Sequence, residues 1–243
     1  MKVFTSVSQK GGCGKTTTTA ALAEAAAYKG RRALALDLDA GNLSFALAAD
    51  RSKGTTFDLI NGTPAADLIQ STNIAGLDII PAGLDNATIT NGSAESFKKA
   101  LQPLKRKYDY CFIDTPAGAG IMQYNALIAA DLAIIPVLAE VFSIQTLYQL
   151  AGTLQEIQAI NTKLKAAAIL ANYDKRTTIA KQMRESISDA LQELNFINCG
   201  SVRTCSKAGE AIALQKSLFE YAPRCKAAAD YMNVYNIIEQ LTK

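Results

Sequence analysis

The chain has 243 residues, 49% of them hydrophobic, enough to bury one sizeable α/β core, and no apolar stretch reaches the roughly 18 residues of a membrane span. Histidine is absent, which removes His bases, triads and metal sites; five cysteines (Cys13, Cys111, Cys199, Cys205, Cys225) form no C-x-x-C pair and are expected to be reduced, mostly structural thiols. The net charge of +3 is uneven, with 12 Lys/Arg against 8 Asp/Glu in residues 161–243, so the basic excess belongs to the C-terminal third.

The N-terminus runs straight into an apolar run at residues 2–7 without the layout of a signal peptide, which predicts a buried strand in a cytoplasmic protein. QKGGCGKTT follows over residues 9–17. Gly11, Gly12 and Gly14 let successive backbone N–H groups turn inward around a polyphosphate, and Thr16 opens a helix whose positive end faces the same anion. Lys15 reaches the terminal phosphates, the Thr16 hydroxyl is placed to ligate Mg²⁺, and Cys13 and Thr17 complete the cradle. The first glycine of G-x-x-x-x-G-K-[ST] is missing at its usual offset, and K-G-G-x-G-K-T-T stands instead.

A helix over 16–29, stopped by Gly30, leads to a strand over 33–37. That strand ends in DLDAGN, which sets Asp37 and Asp39 at the sheet edge where open α/β sheets bind ligands. Two short helices are expected over 57–60 and 65–69, then a strand over 77–80. Ser93 caps a helix reaching about residue 107, with Pro103 as a kink or restart. The strand over 110–113 delivers Asp114 before TPAGAG, the pattern of a Walker B strand that brings one carboxylate beside magnesium. Helices over 123–130, 143–160, 177–194, 207–215 and 223–241 alternate with strands over 132–137, 166–170 and 196–202. This alternation of helices with continuously apolar strands predicts a single α/β domain over 1–243, a doubly wound, mostly parallel sheet covered on both faces.

Lys10 ahead of GKTT, with DLDAGN and DTPAGAG, resembles the deviant Walker A signature of the ParA/MinD ATPases, and the likeness continues through ADLAIIPVLAEVFSIQTLYQL, ANYDKRTTIAKQMRE and SLFEYAPRCKAAADY. It covers nearly the whole chain and points to the short ParA/Soj-type members. The resemblance implies a P-loop ATPase using ATP and Mg²⁺, with Lys10 reaching across a homodimer that sandwiches the nucleotide. It implies that Asp39 aligns the attacking water, that Asp37 supports the magnesium shell with Thr16 and Asp114, and that Asn172 contacts adenine. Arg176 and Arg203 fall where the family binds DNA without sequence preference, as guanidinium forks on phosphates would do. A ParB-like or cargo-adaptor partner that stimulates weak hydrolysis, and a nucleoid-associated location, follow from the same likeness.

Ala40 and Gly41 stand where the family carries Pro and Gln, and Ala117 replaces a second proline, departures in the switch loops that leave the carboxylates in place. Only seven or eight residues precede the loop, so the helix-turn-helix of longer relatives, and operator-specific repression, are not expected. A MinD-like membrane switch would need a basic amphipathic C-terminal helix. Residues 227–243, AAADYMNVYNIIEQLTK, carry one lysine and no arginine, and suit docking on a sheet, so no membrane partner is expected. A nitrogenase-reductase-like electron carrier would need two cluster-ligating cysteines at a dimer face, and Cys111, in mid-strand, cannot provide them alone.

Overall fold

The computed structural model describes residues 1–84 and 94–242; the expected Ser93 cap lies outside them. Among the described residues eight strands form one sheet: β1 (Lys2–Ser6), β2 (Ala33–Asp37), β3 (Gln70–Ser71), β4 (Leu77–Ile80), β5 (Tyr110–Asp114), β6 (Leu132–Leu138), β7 (Lys165–Tyr173) and β8 (Ile197–Arg203). Their order is β3-β4-β2-β5-β1-β6-β7-β8, parallel throughout except for β3, which pairs antiparallel with β4 at the edge.

Alternation along the strands assigns side chains to two faces. Val3, Leu34, Leu36, Cys111 and Ile113 join one buried cluster, whereas Phe4, Ala33, Ala35, Tyr110 and Phe112 join the other. The second face carries α1 (Lys15–Tyr28) and α2 (Asn42–Ala46). Helices α3 (Thr56–Ile60), α4 (Ala65–Leu68), α5 (Ala94–Leu101), α6 (Ile121–Ala129), α7 (Ser143–Ile160) and α8 (Thr178–Glu193) cover the first face. The chain then returns to the second face with α9 (Ser206–Ala213), α10 (Leu218–Tyr221) and α11 (Lys226–Leu241). Both faces of the inner strands are therefore dry, which is why those strands read as continuous apolar runs. Truncating a wholly buried side chain such as Phe112 to Ala is expected to cost about 3–5 kcal/mol.

Pro103 restarts the chain, one of its two expected effects, as a 3-10 turn over Gln102–Arg106, with the ring at its first positions where the missing N–H costs nothing. Other local expectations are corrected. Ile69 is extended rather than helical. α11 begins at Lys226, because Cys225 caps it and accepts from the Ala228 amide at 3.4 Å. β3, α2 and α10 were not anticipated, and tertiary partners account for the two helices. Ser44 in α2 donates from both its amide and hydroxyl to buried Asp37 (2.8 and 2.7 Å). α10 is held by Glu24 of α1, whose Oε2 accepts from the Leu218 amide at 2.8 Å and the Ser217 hydroxyl at 3.1 Å.

Candidate active site

The glycine loop leaves the end of β1, the inner strand between β5 and β6, and enters α1. Gly12 and Gly14 have φ of +73° and +91°, a region that disfavours any residue with a Cβ. Gly14 is also the N-cap of α1 and has no side chain to occupy the first-turn amides, which leaves them for an external anion. Nothing lies within 4 Å of a Cβ built on Gly11 or Gly12, so the loop opens to solvent. Lys15, by contrast, is buried. The Gly118 amide donates to the Ser8 carbonyl at 3.1 Å, tying the loop after β5 to the start of the glycine loop.

Strand register assembles the carboxylates. Asp114 lies opposite Ser6 on one side and opposite Asp37 on the other. The Thr16 hydroxyl donates to Asp114 Oδ2 at 2.6 Å, and the Thr19 hydroxyl donates to Ser6 Oγ and the Lys15 carbonyl at 2.7 and 2.9 Å. Burial pushes Asp114 up to about 7; the charges of Asp37 and Asp39 add to this, while the Thr16 hydroxyl and Lys15 oppose it. Burial also raises Asp37, against the hydrogen bonds from Ser44 and from the Asp39 amide (3.1 Å). Asp37 thus faces the loop that carries half-buried Asp39. Within that loop Gly41 has φ +101°, where a side chain would be strained, and a Cβ there would also push the Arg51 guanidinium aside, so glycine is favoured at the position that departs from the family pattern.

Asn172, at φ +51° near the end of β7, lines a cleft of about 280 Å³ with Gly12, Gly14, Thr17, Arg203 and Cys205. The cleft joins the glycine loop to the far half of the sheet. The cations expected to act on partners are all engaged within the chain. Lys10 is ion-paired with Glu140, both side chains about half exposed. Arg176 forks onto Asp174 (2.6–3.1 Å), and Arg203 forks onto Asp230 at 2.8 Å through two nitrogens. The Asp-x-Arg spacing of 174–176 was a visible signal for the first fork; Asp230 is too distant in sequence to have announced the second. Among the described residues no three His, Cys, Asp or Glu side chains form a group able to hold a metal on their own.

An uncapped glycine cradle at the end of an inner parallel strand, with buried carboxylates on the two neighbouring strands, defines a P-loop nucleoside triphosphatase of the doubly wound class. Residues 1–166 match the model of a family described as AAA domain. The sporulation initiation inhibitor protein Soj of Bacillus subtilis is 31% identical over 245 residues, covering 96% of each chain. The chromosome partitioning protein ParA of Myxococcus xanthus is 37% identical over 191 residues, 74% of this chain and 68% of the relative. The solved structure of apo McdA from Cyanothece shares the fold over 100% of both chains, with a TM-score of 0.86 at 22% identity. The chain belongs to the ParA/Soj family of partition ATPases.

Proposed function

We propose that this chain is an ATP-gated positioning switch: it dimerises around ATP, binds DNA without sequence preference in that state, and releases it after hydrolysis stimulated by a partner protein that carries a cargo. The observation that carries the reading is the juxtaposition of Lys15, Thr16 and Asp114 at the mouth of an open glycine cradle. Backbone amides of Gly11, Gly12, Cys13 and Gly14 and the first turn of α1 (Thr16, Thr17) receive the phosphates, and Lys15 neutralises the terminal ones. Asn172, which lines the same cleft as Gly12, Gly14 and Thr17, contacts the base in this reading.

The donor set fits magnesium. Thr16 and Asp114 offer hard oxygens side by side, and the absence among the described residues of three His, Cys, Asp or Glu side chains able to hold a metal suits an ion that keeps waters and phosphate oxygens. Bound there, Mg²⁺ would neutralise phosphate charge; Asp37, committed to the loop amides, would orient Asp39 and border that shell. Asp39 positions and polarises the attacking water, a placement effect rather than a covalent one.

Lys10 reaches the partner's nucleotide when it leaves Glu140. Arg176 and Arg203 exchange their carboxylate partners for DNA phosphates, so their contribution is the difference between two charge-assisted forks. α11 packs its apolar residues on α1 and β8, which favours DNA over a membrane surface as the docking partner. Equilibrium titration with ATP and magnesium tests the core of the proposal. Wild type should bind saturably and Lys15→Ala should not, and equal binding by the two would contradict it.

A further inference from the structure

The loop that carries Asp39 lacks two constraints of the related pattern. Ala40 and Gly41 stand where that pattern has Pro and Gln, so a residue with fixed φ is gone and a glycine, with the widest backbone freedom, follows. A misplacement of about 1 Å in a group that aligns a reactant costs on the order of 10²-fold in rate, so the loop needs support from elsewhere. Its two ends are held by Asp37, which accepts from the Asp39 amide at 3.1 Å and from the Ser44 amide at 2.8 Å. Between them, Gly41 is covered by a side chain from beyond α2.

That side chain is half-buried Arg51, whose Nε–H donates to the Ala82 carbonyl at 2.9 Å, just past β4. The Ala82 amide in turn donates to Ser44 Oγ at 2.9 Å, and the Ser44 hydroxyl donates to Asp37 Oδ2 at 2.7 Å. One run of hydrogen bonds thus ties Arg51 to the carboxylate that holds both ends of the Asp39 loop. The anchored guanidinium lies against Gly41: a Cβ built there would fall 2.5 Å from Nη1 and 2.8 Å from Cζ. It fills the space that a side chain at position 41 would take. The adjacent Asp50 is engaged with Ser52 at 2.7 Å and Lys53 at 3.4 Å, and among the described residues no carboxylate is ion-paired with Arg51. The Nη end of the fork is therefore left to the loop.

We propose that Arg51 is a positioning residue for hydrolysis, a role that rests on Asp39 aligning the attacking water. Its guanidinium takes the place of the side chain missing at Gly41 and holds residues 39–41 so that Asp39 keeps its aim. Geometry matters here beyond charge, because Nε bonds Ala82 while Nη1 and Cζ cover Gly41, and the single nitrogen of a lysine cannot do both. The phosphate cradle is built from other residues, so loss of Arg51 should slow turnover and spare ATP binding.

The test compares the full chain with Arg51→Ala and Arg51→Lys. In the absence of nucleotide, backbone amide exchange over residues 39–42 should rise by about tenfold in both variants, with α1 and β5 protected as in wild type. With ATP and magnesium, the dissociation constant and KM should stay within about twofold of wild type while kcat falls by about tenfold or more. Unchanged exchange in the loop would overturn the proposal. So would exchange that rises equally in α1 and β5, which would assign Arg51 to the fold as a whole, and so would a Lys variant with wild-type protection and turnover. Because the exchange is read without nucleotide and ATP binding is measured separately, each of these failures leaves the ATPase reading untouched; a wild type that binds no ATP would contradict that reading instead.

Discussion

Thr16 and Asp114 are joined by a 2.6 Å hydrogen bond from the threonine hydroxyl to Oδ2, which links the first turn of α1 to the last residue of β5. The bond closes the phosphate cradle against a carboxylate that burial already holds up to about 7. A charge kept in so unfavourable a place should serve chemistry rather than stability. Asp114→Asn retains an acceptor for Thr16 but removes the charge. Without magnesium, the variant should melt at least as high as wild type at pH 8, while ATP turnover falls by about 10²-fold or more. A large loss of melting temperature with normal turnover would assign Asp114 to the fold instead.

The Lys10–Glu140 pair is half exposed, so breaking it should change folding stability by no more than about 1 kcal/mol. Lys10→Ala is expected to fold, bind ATP and stay monomeric. Glu140→Gln frees the same lysine and should dimerise at an ATP concentration equal to or lower than wild type. Light scattering across an ATP titration checks both, and a normally dimerising Lys10→Ala would remove the lysine from the interface.

The glycine loop, the central strands and the two carboxylate-bearing strand ends were legible because each is written locally: glycines where φ is positive, apolar runs where both faces are dry, an acid where the run stops. What was not legible depends on pairs distant in sequence. α2 exists because Ser44 finds Asp37, and α10 because Leu218 finds Glu24. The two-residue β3 has no periodicity to read. The Arg203–Asp230 fork leaves no spacing signal, since it arises only when α11 docks beside β8.

Glu24 gives a pH signature. Burial lifts it to about 7 from 4.5, against the hydrogen bonds from Leu218 and Ser217. A carboxyl whose folded value is raised contributes stability that is complete below about 4.5 and is lost as pH rises through 7. Glu24→Gln keeps an oxygen acceptor without the titration. Its stability relative to wild type should improve between pH 5 and pH 8, by up to about 3 kcal/mol. Denaturant melts at the two pH values measure this, and a difference independent of pH would show that Glu24 stays ionised in the fold.

DNA binding should appear only with ATP and weaken with salt, independent of sequence. Arg176→Ala removes one fork from each subunit, so in a dimer-competent sample the slope of log K against log salt should become shallower by about 1.8. Two unrelated duplexes should give the same result. An unchanged slope would mean that Arg176 stays on Asp174 in the complex.

The central claim, that ATP gates dimerisation and hydrolysis resets it, is tested most directly by the molar mass of Asp39→Ala in solution. Its phosphate cradle is intact, but the carboxylate placed to align water is gone. Light scattering should give a monomer with ADP and magnesium and a persistent dimer with ATP and magnesium, with no phosphate released. A variant that remains monomeric at saturating ATP, or that hydrolyses ATP at the wild-type rate, would contradict the account.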